Sequence, residues 1–77
     1  MEINIFYLGI ISEKVGSATE KFHSNCNGGL ESLKEELELK YPELQKASYR
    51  IAINNNLSEE KVVDGDEVAL LPQFAGG

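Results

Sequence analysis

One amphipathic stripe constrains this chain more than any other feature. Leu30, Leu33, Leu37, Tyr41 and Leu44 recur at spacings of three and four, which lines them up along one side of an α-helix. Glu31, Lys34, Glu35, Glu36, Glu38 and Lys40 fill the positions between them and form the solvated side. Pro42 disfavours helical geometry at Tyr41, so the regular helix ends there with room for one further turn. The remaining apolar runs are short and follow a period of two. A chain of 77 residues lies near the lower limit for an independent core. One helix of this kind covers one face of one sheet, a two-layer α+β arrangement.

The strands are legible on either side of that helix. From Glu2 to Leu8, Ile3, Ile5 and Tyr7 share one face, while Phe6 and Leu8 on the other predict burial on both sides, as in a central strand. Gly9 and the run Ser12–Ser17 interrupt the pattern and read as a loop with a short helical turn at most. Thr19–Ser24 is a second, weaker strand, placed to pair antiparallel with the first. Tyr49, Ile51 and Ile53 alternate with Arg50 and Ala52, a third strand. Asn54-Asn55-Asn56 and Asp64-Gly65 are turn signals. Glu67–Leu71 is the last strand, stopped by Pro72, which has no amide hydrogen for a ladder. If the first and last strands are central, they are adjacent and parallel, which is the architecture of a β-grasp, ubiquitin-like domain. Residues 1–72 then form the domain, and residues 73–77 a flexible C-terminal Gly-Gly tail.

Charge and cysteine content narrow the function classes. Thirteen carboxylate residues against seven lysines and arginines give a formal net charge of −6. Nucleic acid is an unsuitable partner for such a chain, because phosphate neutralisation requires clustered Lys and Arg. A basic docking face on a protein suits it better, and an acidity that simply maintains solubility fits the charge equally well. No apolar run approaches the roughly 20 residues that span a bilayer, and Met1–Ile5 lacks the basic start and apolar stretch of a signal peptide. A lone cysteine, Cys26, allows no internal disulfide. The expected setting is cytoplasmic.

The last residues, Phe74-Ala75-Gly76-Gly77, carry the most specific chemistry. Glycine has no Cβ, so another protein's site can close around its backbone. Four extended residues at roughly 3.3–3.6 Å each carry a carboxylate about 13–14 Å from the domain. The alternative is a frayed end, since chain termini are commonly loose.

Together these residues resemble a known family. Asp64-Gly65-Asp66-Glu67-Val68-Ala69-Leu70-Leu71-Pro72, followed by Gly76-Gly77, is similar to the C-terminal signature of the small, MoaD-like sulfur-carrier subunit of molybdopterin synthase. Met1–Leu8 with Val15-Gly16, Leu30-Glu31-Ser32-Leu33 and Ile53-Asn54 extend the likeness over nearly the whole chain. The resemblance implies that an ATP-dependent adenylating and sulfur-transfer enzyme activates the Gly77 carboxylate and converts it to a thiocarboxylate. The tail, Gly76, Ala75 and Phe74, would then insert into the large synthase subunit and deliver sulfur to a pterin precursor. It implies a hetero-oligomer, no bound cofactor and no catalytic residue or metal ligand in this chain. The sequence departs from the family where a second proline commonly follows Pro72, at Gln73 and Phe74, and where arginine often follows the first strand, at Ser12. Phe74 either anchors the tail in a partner's apolar pocket or packs back on its own sheet.

Other readings share the tail. A carrier for thiamine thiazole synthesis uses the same terminus, but that family tends to have a shorter connection than Gly9–Ala18. A ubiquitin-like modifier would be conjugated to lysines through Gly77, and a structural β-grasp module would not need Gly77 at all. No other group of residues forms a reactive constellation. Cys26 lies close to the helix start without an evident cationic activator, and His23 has no partner at zinc-site spacing. The acidic cluster Glu31, Glu35, Glu36 and Glu38 reads as a solvated helix surface, with Glu36 and Lys40 a supportive i,i+4 pair worth about 0.2–0.5 kcal/mol.

Overall fold

A computed structural model describes residues 1–73. Strands β1 (Glu2–Tyr7), β2 (Thr19–His23), β3 (Tyr49–Ile53) and β4 (Glu67–Pro72) form one sheet in the order β2-β1-β4-β3. β1 pairs antiparallel with β2 and parallel with β4, and β4 pairs antiparallel with β3. The first and last strands are therefore central and parallel, as their apolar content predicts. Helix α1 (Ile10–Val15) and helix α2 (Leu30–Lys40) are followed by a 3₁₀ helix, Pro42–Lys46. Among the described residues no helix is long and apolar enough to cross a membrane.

The helical stripe behaves as its spacing requires. Leu33, Leu37 and Leu44 are fully buried and join one cluster with Ile3, Ile5, Val68 and Leu70. Burying each such side chain contributes about 1.5–3 kcal/mol. α2 stops at Lys40, Tyr41 leaves helical geometry, and Pro42 opens the 3₁₀ turn that carries Leu44 inward. The start of α2 is held from outside the helix. Its Leu30 amide donates to the Glu60 carbonyl (3.1 Å), and the Val62 amide donates to the Gly28 carbonyl (2.8 Å). The long β3–β4 connection is thereby bound to the helix, with Val62 buried beneath it. Asn54 and Asn55 take positive φ in the turn after β3, and Gly65 does so before β4.

Three expectations need correction. The connection after β1 is not a loop: Ile10–Val15 forms a six-residue helix whose Ile11 is fully buried. β1 is central, but it is not buried on both faces. Ile3, Ile5 and Tyr7 are covered, whereas Phe6 is half-buried and Leu8 is 41% exposed. With one main helix, one layer covers one face and the other stays open. Finally, β4 runs one residue past Leu71. Pro72 belongs to the strand, and the Gln73 amide still donates to the Ser48 carbonyl (3.0 Å). Proline is tolerated there because alternation turns its nitrogen toward β1, whose pairing ends at Tyr7↔Leu70.

Candidate functional site

The site is the end of β4 and the sheet face around it. β4 is gripped on both sides up to that point. The Leu8 amide donates to the Leu70 carbonyl (3.1 Å) on the β1 side, and the Gln73–Ser48 bond closes the β3 side. Gly9 has φ +54, a conformation that side chains resist, and lies directly against the Pro72 ring. The chain thus reaches residue 73 from a rigid, doubly paired strand. Phe74, Ala75, Gly76 and Gly77, the residues expected to carry and insert sulfur, lie outside the described residues.

The register defines what surrounds this root. Pairing of Phe6 with Ala69, and of Arg50 with Leu71, places these residues on the face opposite the buried Ile5, Val68 and Leu70. Phe6, Ala69 and Leu71 form its apolar centre, with exposed Leu8 and Ile10 at the end where β4 terminates. Lys21, His23 and Arg50 stand around it. A contiguous apolar face of this kind on a small domain marks an interaction surface. Sequence reasoning placed Phe6 and Leu8 in the core. The missing signal was a second helix to cover them.

The titratable residues serve the fold. Glu20 reaches inward from β2 and accepts hydrogen bonds from Tyr7 (2.8 Å) and Tyr41 (2.6 Å), while Lys40 pairs with its second oxygen. Burial opposes ionisation of Glu20, but the bonds from Lys40, Tyr41 and Tyr7 outweigh it and hold the carboxyl below the usual range. Burial, then the hydrogen bond to Glu20, pushes the Tyr7 and Tyr41 hydroxyls up. The sequence held a trace of this network, for Tyr7 is the one inward position of β1 with a polar tip, and Glu20 shares the inner face of β2 with Phe22.

The expected Glu36–Lys40 pair is not made, because Lys40 goes to Glu20. Glu36 instead accepts from the buried Ser24 hydroxyl and from the Asn25 amide (3.0 Å). Burial opposes its charge, but these bonds prevail and lower its pKa. Glu38 accepts from the Tyr49 hydroxyl. Two members of the acidic cluster are thus structural rather than merely solvated. Among the described residues no three His, Cys, Asp or Glu side chains are arranged to hold a metal ion. Cys26 is half-buried against the core and His23 is exposed.

A mixed four-stranded sheet with parallel central strands and one crossing helix is the β-grasp of ubiquitin-like proteins, here ending in a strand that presents its C-terminus beside an open apolar face. The chain belongs to the ThiS family, whose model matches residues 5–77. It is 33% identical, over 82 residues that cover 100% of this chain and 99% of the relative, to a molybdopterin synthase sulfur carrier subunit of Mycobacterium tuberculosis. Its fold matches a molybdopterin converting factor subunit 1 of Pyrococcus furiosus, with TM-score 0.86 and 17% identity over 96% of this chain and 99% of that one. It also matches a protein–protein complex of subunits 1 and 2 of the molybdopterin-converting factor of Helicobacter pylori, with TM-score 0.65, 24% identity and full coverage of both chains. Archaeal small modifier proteins share the fold as well.

Proposed function

We propose that this chain is the sulfur-carrying small subunit of a molybdopterin synthase, working in the cytoplasm, with Gly77 as the sulfur-bearing residue. The observation that carries the reading is the 33% identity to a sulfur carrier subunit along the entire chain. The geometry is compatible with it, since β4 delivers the chain to residue 73 from a rigid base beside an apolar face.

The chemistry follows from the poor electrophilicity of a carboxylate. In the activating partner, the Gly77 carboxylate attacks the α-phosphate of ATP and pyrophosphate leaves, giving an acyl-adenylate. The terminal sulfur of a persulfide attacks the acyl carbon and AMP leaves. A thiol then cleaves the resulting acyl disulfide and releases the thiocarboxylate. In the synthase, Phe74, Ala75 and Gly76 enter the large subunit, and the terminal sulfur attacks a carbon of the pterin precursor and displaces the oxygen substituent that this carbon carries. Hydrolysis of the acyl link returns the carboxylate, and two deliveries supply both sulfurs of the dithiolene. The chain contributes no acid, base or metal ligand and holds no cofactor of its own. ATP is spent by the partner. The open face of Phe6, Ala69 and Leu71 docks against the large subunit while the tail is inserted.

Intact-protein mass spectrometry of the chain from its native cells tests this reading. The expected result is replacement of one C-terminal oxygen by sulfur, localised to Gly77 and consumed on addition of the large subunit and pterin precursor. Conjugates joined through Gly77 to lysines would replace the carrier by a modifier. Consumption by a thiazole synthase instead would move the chain to the thiamine pathway.

A further inference from the structure

We propose that Asn27 is a site of spontaneous covalent modification, and that its isoaspartyl product unties the β3–β4 connection from the start of α2. Among the asparagines of the chain, Asn27 alone is followed by glycine. It is exposed and sits in an Asx turn, its Oδ1 accepting from the Gly29 amide (3.2 Å). The Gly28 amide donates to no acceptor among the described residues, and Gly28 has no side chain to shield its nitrogen. A nucleophile and an electrophile thus lie next to each other, with no hydrogen bond to break at the nitrogen. The other asparagines lack this combination. The amide after Asn55 is tied to the Ile53 carbonyl (3.0 Å), and the amide after Asn25 to the Ser24 hydroxyl (3.1 Å). Asn54 engages both Asp66 and Glu67 through its carboxamide. Ile5 and Leu57 crowd the amides after Asn4 and Asn56.

Water is the only co-reactant. The Gly28 nitrogen attacks Asn27 Cγ and yields its proton to a solvent base, and the oxyanion that forms on Oδ1 faces the Gly29 N–H. Collapse breaks the bond from Cγ to Nδ2, which takes up a proton and leaves as ammonia, and a cyclic imide remains. Water then opens the imide at either carbonyl. Opening at Cγ gives aspartate with the main chain as before. Opening at the main-chain carbonyl breaks the original peptide bond and leaves the chain running through Cγ, longer by a methylene.

That methylene falls directly before a closely fitted segment. Gly28 has φ +95, and a Cβ on it would meet the Val62 carbonyl oxygen at 3.0 Å. Its own carbonyl accepts from the Val62 amide (2.8 Å), and the Leu30 amide donates to the Glu60 carbonyl (3.1 Å). A chain lengthened ahead of Gly28 loses the register of these bonds, and the buried Val62 loses its cover. The aspartyl product keeps both bonds and adds only a carboxylate ahead of α2, where the helix dipole favours it.

The test ages the purified full-length chain at mildly alkaline pH and follows it by peptide mass spectrometry with electron-transfer fragmentation, which tells isoaspartate from aspartate. Isoaspartyl carboxyl methyltransferase with labelled methyl donor counts the isoaspartyl residues independently. We expect exchange of NH2 for OH at Asn27 at least about tenfold faster than at Asn55, whose following amide must first give up its hydrogen bond. The isoaspartyl fraction should lose hydrogen-exchange protection at the Leu30 and Val62 amides. Asn27→Asp supplies the charge without the detour and should keep both amides protected. Asn27→Ser keeps a turn acceptor but has no carboxamide, so it should take up no methyl groups and stay protected through the same ageing. Faster reaction at Asn55 or Asn56, an Asn27 that stays intact, or aspartate as its sole product would each overturn the proposal. So would an isoaspartyl fraction as protected as the fresh chain, or equal loss of protection in Asn27→Ser. The measurement requires no thiocarboxylate, so its failure leaves the sulfur-carrier reading standing.

Discussion

Gly9 lies against Pro72 so closely that a Cβ built on it would come within 3.2 Å of the Pro72 Cγ. This contact couples the turn after β1 to the last strand residue before the tail. Gly9→Ala should cost about 1–2 kcal/mol from its positive φ alone, plus displacement of the Pro72 ring. Gly16→Ala is the control, with φ +91 and nothing within 4 Å of the added carbon. Urea denaturation should show Gly9→Ala as the more destabilised, and amide shifts at Gln73 should change in that variant only.

Glu20 is the acceptor for three donors, and its removal should be felt at the fully buried ring of Tyr7. Glu20→Ala leaves the Tyr7 hydroxyl without its acceptor, at a cost of about 1–3 kcal/mol. Thermal unfolding at neutral pH measures it.

Acid should weaken the fold through the same group. The Glu20 and Glu36 pKa values are held below their ordinary range. Their contribution is therefore complete above the unfolded value of about 4.3 and fades as pH falls through the folded values, where the folded chain must take up protons. Unfolding free energy should decline steadily below about pH 4, and less steeply in Glu20→Gln.

Alkali should act through tyrosine. All three tyrosines of the chain, Tyr7, Tyr41 and Tyr49, are pushed up, first by burial and then by hydrogen bonds to Glu20 or Glu38. Below about pH 10 both states keep their phenolic protons. Above it the unfolded chain releases protons that the folded chain retains, so stability falls as pH rises. Ultraviolet titration should show tyrosine ionisation arriving together with loss of the circular dichroism signal, not before it.

The open face and the tail should separate from stability altogether. Leu8→Asp alters a 41% exposed side chain and should change stability by no more than about 0.5 kcal/mol, while weakening binding to the large synthase subunit at least about tenfold. Deletion of Gly77 should abolish sulfur delivery with the melting temperature unchanged. Gly76→Val should block insertion, because a β-branched side chain must pass where only backbone did. A reconstituted synthase assay reads both tail variants, and unchanged turnover would remove the tail from the mechanism.

Much of this architecture was present in local pattern. The stripe Leu30, Leu33, Leu37 and Tyr41, cut by Pro42, fixed the helix; period-two runs fixed β1, β3 and β4; Asn54-Asn55 and Gly65 marked their turns. Periodicity is a property of neighbouring residues, so the chain states it directly. The residues of α1 gave no such signal. Six residues hold too few turns for a stripe, and Ile11 is buried through contacts with distant parts of the chain.

What the sequence by itself determined is the type of every element but α1, the two-layer class, the central placing of the first and last strands and the family signature at the C-terminus. Tertiary structure decided which face of the sheet stays open, that Lys40 leaves Glu36 for Glu20, and that the β3–β4 connection is bound to the start of α2. Each of these joins residues distant along the chain, such as Phe6 with Ala69 and Lys40 with Glu20, set by how layers meet and which charges become neighbours. One-dimensional spacing encodes a residue's own face and period, but not the partner that the fold brings to it.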